Sequence, residues 1–242
     1  NFSLAHSGTL TASSLQLSSG TWTQSGAATL ENLALLNVTW SQNAFVEVTA
    51  SYTHSGLTWY SNAGSSFPFG RDLVVDGYVF YASGTQVWDS IVVTNGGKIA
   101  CAEAASATAT NKMHLEANRI VVSTNSSIDA SGASRREYNG NSNSGGSYGG
   151  RGGYYYTWGL SGPTYGSITE PVDMGTRSSG TPDIGLAGGV IYVKANELVL
   201  DGAIRSSGSN APSYTGSGGS VWLDVGTLRG SGSVAANGGN GH

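Results

Sequence analysis

The chain repeats itself. Two or three alternating aliphatic residues lead into a small polar corner, then one apolar residue, then small residues closing on Gly or Asn. Leu15 to Gly26 is the first copy, and Leu33 to Asn43 is the second. Leu73-Val74-Val75-Asp76-Gly77 opens another, and Ile91-Val92-Val93-Thr94-Asn95-Gly96 follows it at the same interval that separates Leu15 from Leu33. Further copies begin at Ile120, Leu198 and Leu228. Later units are longer: the strand pattern at Val190 recurs only at Val221, with a Gly/Ser loop inserted. These intervals lie near the ~20–30 residues of one solenoid coil. A unit this short cannot bury its apolar side alone. Stacked in parallel, the units line up like residues into one continuous core, so a β-solenoid is expected.

Helical readings compete badly. Gly occurs 37 times and interrupts the chain every few positions, and few stretches hold an i, i+3, i+4, i+7 stripe. Apolar residues alternate instead, as in Val221-Trp222-Leu223-Asp224-Val225. An antiparallel sandwich also offers short, evenly spaced strands. The solenoid is preferred because corner chemistry recurs together with hydrophobicity. Asp76-Gly77, Asn95-Gly96 and Asp201-Gly202 occupy the same place in their units and suit positive φ. The expectation is an all-β chain, one solenoid domain over 1–242.

Only 11% of residues are charged, too few for a coiled coil or a charge-driven tail. A formal charge of -4 lacks the basic footprint of a nucleic-acid binder. No apolar run approaches the ~18–20 residues of a membrane-spanning helix. No Gly-x-y period supports collagen. The 38% hydrophobic content is enough for a core. Cys101 is the single cysteine, so no internal disulfide forms. The chain opens Asn1-Phe2-Ser3, without an initiator Met or a signal peptide, and reads as a segment of something longer.

Two insertions break the pattern, residues 133–188 and 209–219. A loop as long as the first is ordered or functional when it sits in a compact domain. Both depart just after a unit closes on Gly, at Gly132 and Gly208, so they are expected side by side on one face. The first holds Gly145-Gly146-Ser147-Tyr148-Gly149-Gly150-Arg151-Gly152-Gly153, then Tyr165-Gly166-Ser167 and Pro171. With Ala187-Gly188-Gly189-Val190, Gly218-Gly219-Ser220-Val221 and the closing Gly230 to Gly239, this order resembles a glycine-rich β-helix module of very large secreted adhesin-like and surface-filament proteins of bacteria and protists. The resemblance spans roughly residues 113–241. It implies a right-handed parallel β-helix, exported and repeated along a long chain at the cell surface, and it carries no catalytic assignment.

Residues that could carry chemistry are scattered. His6, His54, His114 and His242 have no Gly-x-Ser-x-Gly elbow beside them, and His6 and His54 both sit in His-Ser-Gly, a repeated corner. Cys101 alternates inward with Ile99 and reads as a buried inert thiol. Gly149 to Gly153 lacks the Gly-Lys-Ser/Thr ending of a phosphate loop. One Cys and scattered His give no zinc cluster, and Asp76 and Asp201 read as turn formers rather than calcium ligands. Stacking the copies puts Asp129 in line with Arg205 and Ala235 without the second acid a polysaccharide lyase or hydrolase needs. No cofactor is expected.

Two sets of residues remain as candidate sites. Tyr148, Tyr154, Tyr155, Tyr156, Trp158 and Tyr165 either stack on sugar rings or a partner, or pack the insertion onto its own solenoid. Asn1, Asn37 and Asn125 begin Asn-x-Ser/Thr sequons, the last two at corners where a glycan would project outward. The resulting expectation is a non-enzymatic extracellular structural module. It stacks head-to-tail with identical modules, carries covalent glycans, binds no nucleic acid and does not insert into a membrane. A carbohydrate- or partner-binding adhesin domain is the alternative, and a β-helix polysaccharide lyase or hydrolase the second alternative.

Overall fold

The computed structural model describes residues 1–55, 57–61, 72–82, 84–101, 112–136, 144–153, 162–179, 185–212 and 214–240. Among these residues there is no helix, and every strand pair is parallel. The N-terminal part contributes β1 (Phe2–His6), β2 (Leu10–Gln24), β3 (Ala28–Gln42), β4 (Val46–Ser55) and β5 (Thr58–Ser61). Afterwards strands alternate between two sheets. β6 (Asp72–Asp76), β8 (Gly84–Thr94), β10 (Lys112–Val122), β12 (Val190–Leu200) and β14 (Ser220–Arg229) form one sheet. β7 (Val79–Ala82), β9 (Lys98–Cys101), β11 (Ser127–Asp129), β13 (Ala203–Arg205) and β15 (Ser233–Ala235) join β1, β2, β3 and β5 in the other, with β4 on β3. The result is a solenoid-like stack in which each coil lies on the one before.

The interval read from the sequence is the register itself: Leu15 faces Leu33, and Leu73 faces Ile91. The later interval departs from the sequence expectation by a single position. Val190 pairs with Ser220, and Val221 pairs with Ile191, because the inward-facing side chains, not the loop lengths, set the pairing.

Corners carry the backbone strain. β2 and β3 are 15 residues long because each runs through its corner without leaving the ladder. The corner residues are Ser19 (φ 58°) and Asn37 (φ 51°). Asn95 (φ 51°), Gly96 (φ 77°), Gly77 (φ 71°) and Asn125 (φ 65°) do the same later, the left-handed region that Gly and Asn enter most readily. The Asp201-Gly202 corner departs from expectation, since Gly202 is not left-handed. That corner is tighter, and Gly202 is needed for closeness: a Cβ there would stand 2.2 Å from the Ser126 carbonyl oxygen.

Like residues stack on like. Leu4, Trp22, Trp40, Trp59, Phe80, Ile99, Ile128, Ile204 and Val234 share one inward column. The Trp22–Trp40 and Trp40–Trp59 rings stack at 4.8 and 5.0 Å with interplanar angles of 7° and 8°, the separation parallel strands impose. Each fully buried large apolar side chain contributes roughly 1.5–3 kcal/mol.

Candidate functional site

Several glycines of the 133–188 and 209–219 segments stand where backbones approach too closely for a side chain. A Cβ on Gly146 would lie 1.8 Å from the Thr176 carbonyl oxygen, and one on Gly216 would lie 2.0 Å from that of Leu186. The segments are hydrogen-bonded to each other. Gly146 N–H donates to Thr215 (3.0 Å), Ser217 N–H to Thr176 (3.1 Å) and Gly188 N–H to Ser217 (3.0 Å). Buried hydroxyls satisfy further carbonyls: Thr176 Oγ1 donates to Ser147 (2.6 Å), Ser134 Oγ to Gly175 (2.8 Å) and Ser206 Oγ to Gly189 (2.8 Å). An apron this rich in buried polar groups holds only because they are paired.

Tyr148 and Tyr165 come together on this apron, their rings edge-to-face at 5.1 Å. The Tyr165 hydroxyl donates to the Met174 carbonyl (2.6 Å), and the Tyr148 hydroxyl bonds Ser220 at the start of β14. Arg136 lies 4.6 Å over the Tyr165 ring and pairs with Asp173 at 3.5 Å. Burial pushes the Tyr165 phenol up to about 12. Tyr148 therefore ties the apron to β14 with its polar tip, while Tyr165 ties two parts of the apron to each other. Their ring faces still line a groove of about 580 Å³ with Ile168, Pro171, Val221 and Val234. Ile168 is fully solvent-exposed, at 101%. Tyr154, Tyr155, Tyr156 and Trp158 lie outside the described residues.

Sequence reasoning missed Arg136, Ser220 and Ile168 as partners of these tyrosines. Gly218-Gly219-Ser220 does repeat the Gly145-Gly146-Ser147 pattern, a signal that the two segments are counterparts.

Asn37 and Asn125 are exposed corner residues with left-handed backbone, and Asn1 is exposed too. Ser127 of the Asn125 sequon is buried, at 8% exposure.

The histidines are dispersed. The His6 ring nitrogens are buried without a hydrogen-bond partner at the end of β1, opposite Gln24. His54 Nε2 contacts the Tyr78 hydroxyl and the Val74 carbonyl (3.1 Å), and burial lowers its pKa. His114 stands 3.3 Å from Thr85 Oγ1 and tilts against Tyr192, with ring centroids 4.4 Å apart. His242 lies outside the described residues. Asp129 faces Arg205, and Arg205 faces Ala235, as the repeats imply. Burial pushes the Asp129 carboxyl up, but the Lys98 ammonium at 2.9 Å and hydrogen bonds from Ser131 outweigh it, leaving it below its ordinary range. Cys101 is 8% exposed, and burial raises its thiol to about 12. Among the described residues, no three of His, Cys, Asp or Glu gather closely enough to share a metal ion.

No protein-family model matches this chain, and neither a curated protein nor a solved structure matches it.

Proposed function

We propose that this chain is a non-enzymatic structural module of the cell exterior. In this reading it is a right-handed parallel β-helix that stacks head-to-tail with like modules, in a surface filament or a long adhesin-like protein, and carries glycans at Asn37 and Asn125. One observation carries the reading. The core columns continue into coils that leave them uncovered. Ile204 is 0% exposed, yet Val234, the next residue of its column, is 46% exposed. Leu198 and Leu228 repeat the contrast, at 0% against 54%. At the other end Phe2, Leu4, Leu10 and Leu15 are only partly covered. β1, β14 and β15 are also terminal in their sheets. A terminal strand offers its free N–H and C=O groups as a template, and a non-closing contact between different ends builds a fibre.

The exposed corners lie beside the columns rather than across them, so glycans there leave stacking unobstructed. With Ser127 buried, a glycan on Asn125 is added before its coil closes.

Sedimentation and electron microscopy over a concentration series test the reading. Concentration-dependent rods are expected, lost in Leu228→Asp and Val234→Asp variants that stay folded. A chain that remains single at high concentration would falsify it. A second reading, a partner- or carbohydrate-binding domain, draws on the Tyr148–Tyr165 groove and the bare Ile168 beside it. Binding to a glycan array that disappears in Tyr148→Ala would favour it.

A further inference from the structure

The outer face of the β6–β8–β10–β12–β14 sheet carries a trough of about 390 Å³, separate from the Tyr148–Tyr165 groove. It has a local cause. Inward residues along β10 and β12 are two apart until Ala117 and Ala195, after which the next inward residues, Ile120 and Leu198, are three apart. This bulge-like step recurs in register on neighbouring strands and turns Asn118 and Asn196 outward, while Ala117 and Ala195, with side chains facing inward, line the floor. The two amides form one wall, with Asn196 Nδ2 donating to Asn118 Oδ1 at 3.3 Å.

The facing wall is a column of alternating charge. Glu116 and Lys194 pair at 2.9 Å, and Asp224 follows on the next strand, accepting from the Tyr192 hydroxyl at 3.0 Å. Outside that wall runs an aromatic column, His114, Tyr192 and Trp222, with ring centroids 4.4 and 4.7 Å apart.

We infer that this trough binds a linear, neutral oligosaccharide lying along the stacking direction. Each strand brings a fresh set of polar groups at ~4.8 Å intervals, a rise close to that of one hexose in an extended chain. Carboxylates and amide oxygens accept while amide and ammonium groups donate, and sugar hydroxyls need both kinds of partner at each ring. Charge selects among sugars. Asp89, Glu116 and Asp224 outnumber Lys194 in the lining, so an acidic polysaccharide is repelled. An extended peptide fits less well, because the lining's apolar residues are confined to Val87 and Trp88 on β8 and the two floor alanines. The inference stands whether or not modules stack.

Calorimetric titration of the full chain, below its stacking concentration, with β-1,4-linked hexamers of glucose, mannose and N-acetylglucosamine tests it. At least one hexamer is expected to bind with micromolar to millimolar affinity. Asn196→Ala and Asp224→Ala should each weaken it about tenfold or more, while Thr29→Ala, on an exposed position of β3, leaves it unchanged. Thermal unfolding of each variant separates lost binding from lost fold, and Asn196→Gln restores part of the affinity. The inference is overturned if no hexamer binds, if folded variants bind as the parent does, or if polygalacturonate or an unstructured peptide binds as well as the neutral hexamers.

Discussion

The N-terminal and C-terminal coils solve the same packing problem with different residues. In the first, the shared inward column is Trp22, Trp40, Trp59 and Phe80. In the second it is Ile99, Ile128, Ile204 and Val234. Early coils follow one another at short, nearly even steps, whereas Glu116 and Lys194, neighbours across β10 and β12, are 78 residues apart in the chain. The difference shows that the column depends on like meeting like and hardly at all on connector length. Each doubling of a flexible loop costs only ~0.6 kcal/mol. Stretching the short early step to the long later one is about two doublings, less than one buried isoleucine returns. Insertions are therefore cheap where the column stays intact, and they gather in the C-terminal half, where the apron is built.

Emptying the column in each half should separate the two solutions most clearly. Trp40→Ala removes a ring stacked on both sides and should cost ~3–5 kcal/mol in urea unfolding, whereas Ile128→Val should cost only ~0.5–1.5 kcal/mol. Equal losses would mean that the tryptophan stack is decoration.

Cys101 lies in β9, where aromatic column gives way to aliphatic, and it tests how dry that junction is. Burial raises its thiol from 9.0 to about 12. Because the folded value exceeds the unfolded one, its contribution is complete below pH 9 and is lost as pH rises toward 12, at ~1.4 kcal/mol per unit. Stability of the parent should fall more steeply than that of Cys101→Ala across this window. A thiol reagent that labels the folded chain readily near neutral pH would show the junction to be wet.

The smallest effect belongs to the corners. Asn37→Ala should cost ~1–2 kcal/mol because alanine resists left-handed backbone, while Asn37→Gly should change stability by no more than ~0.5 kcal/mol. A thermal melt that cannot tell these two variants apart would remove the left-handed corner from the list of what shapes an early coil.

Legibility followed locality. Trp22 and Trp40 could be paired from spacing alone, since each sits at the same distance beyond the Leu15 or Leu33 that opens its unit. Trp59 and Phe80 were not legible as their continuation, because the interval lengthens at each of those two steps. The alignment of Asp129 with Arg205 could be read because both close the same short motif. The placement of Tyr148 against Ser220, 72 residues away, could not, since no periodicity connects a loop to the strand beneath it. Nor could the trough, whose walls come from residues that look like ordinary polar positions on separate strands.

The period, the parallel stacking and corners such as Asp76-Gly77 and Asn95-Gly96 follow from the residues alone, because each is a pattern contained within one or two coils. Which outward side chains become neighbours was decided only in three dimensions. That outcome depends on the lateral register of strands as distant in the chain as those of Val122 and Leu200. The best fit of buried side chains sets this register, and nothing the connecting loops encode does so.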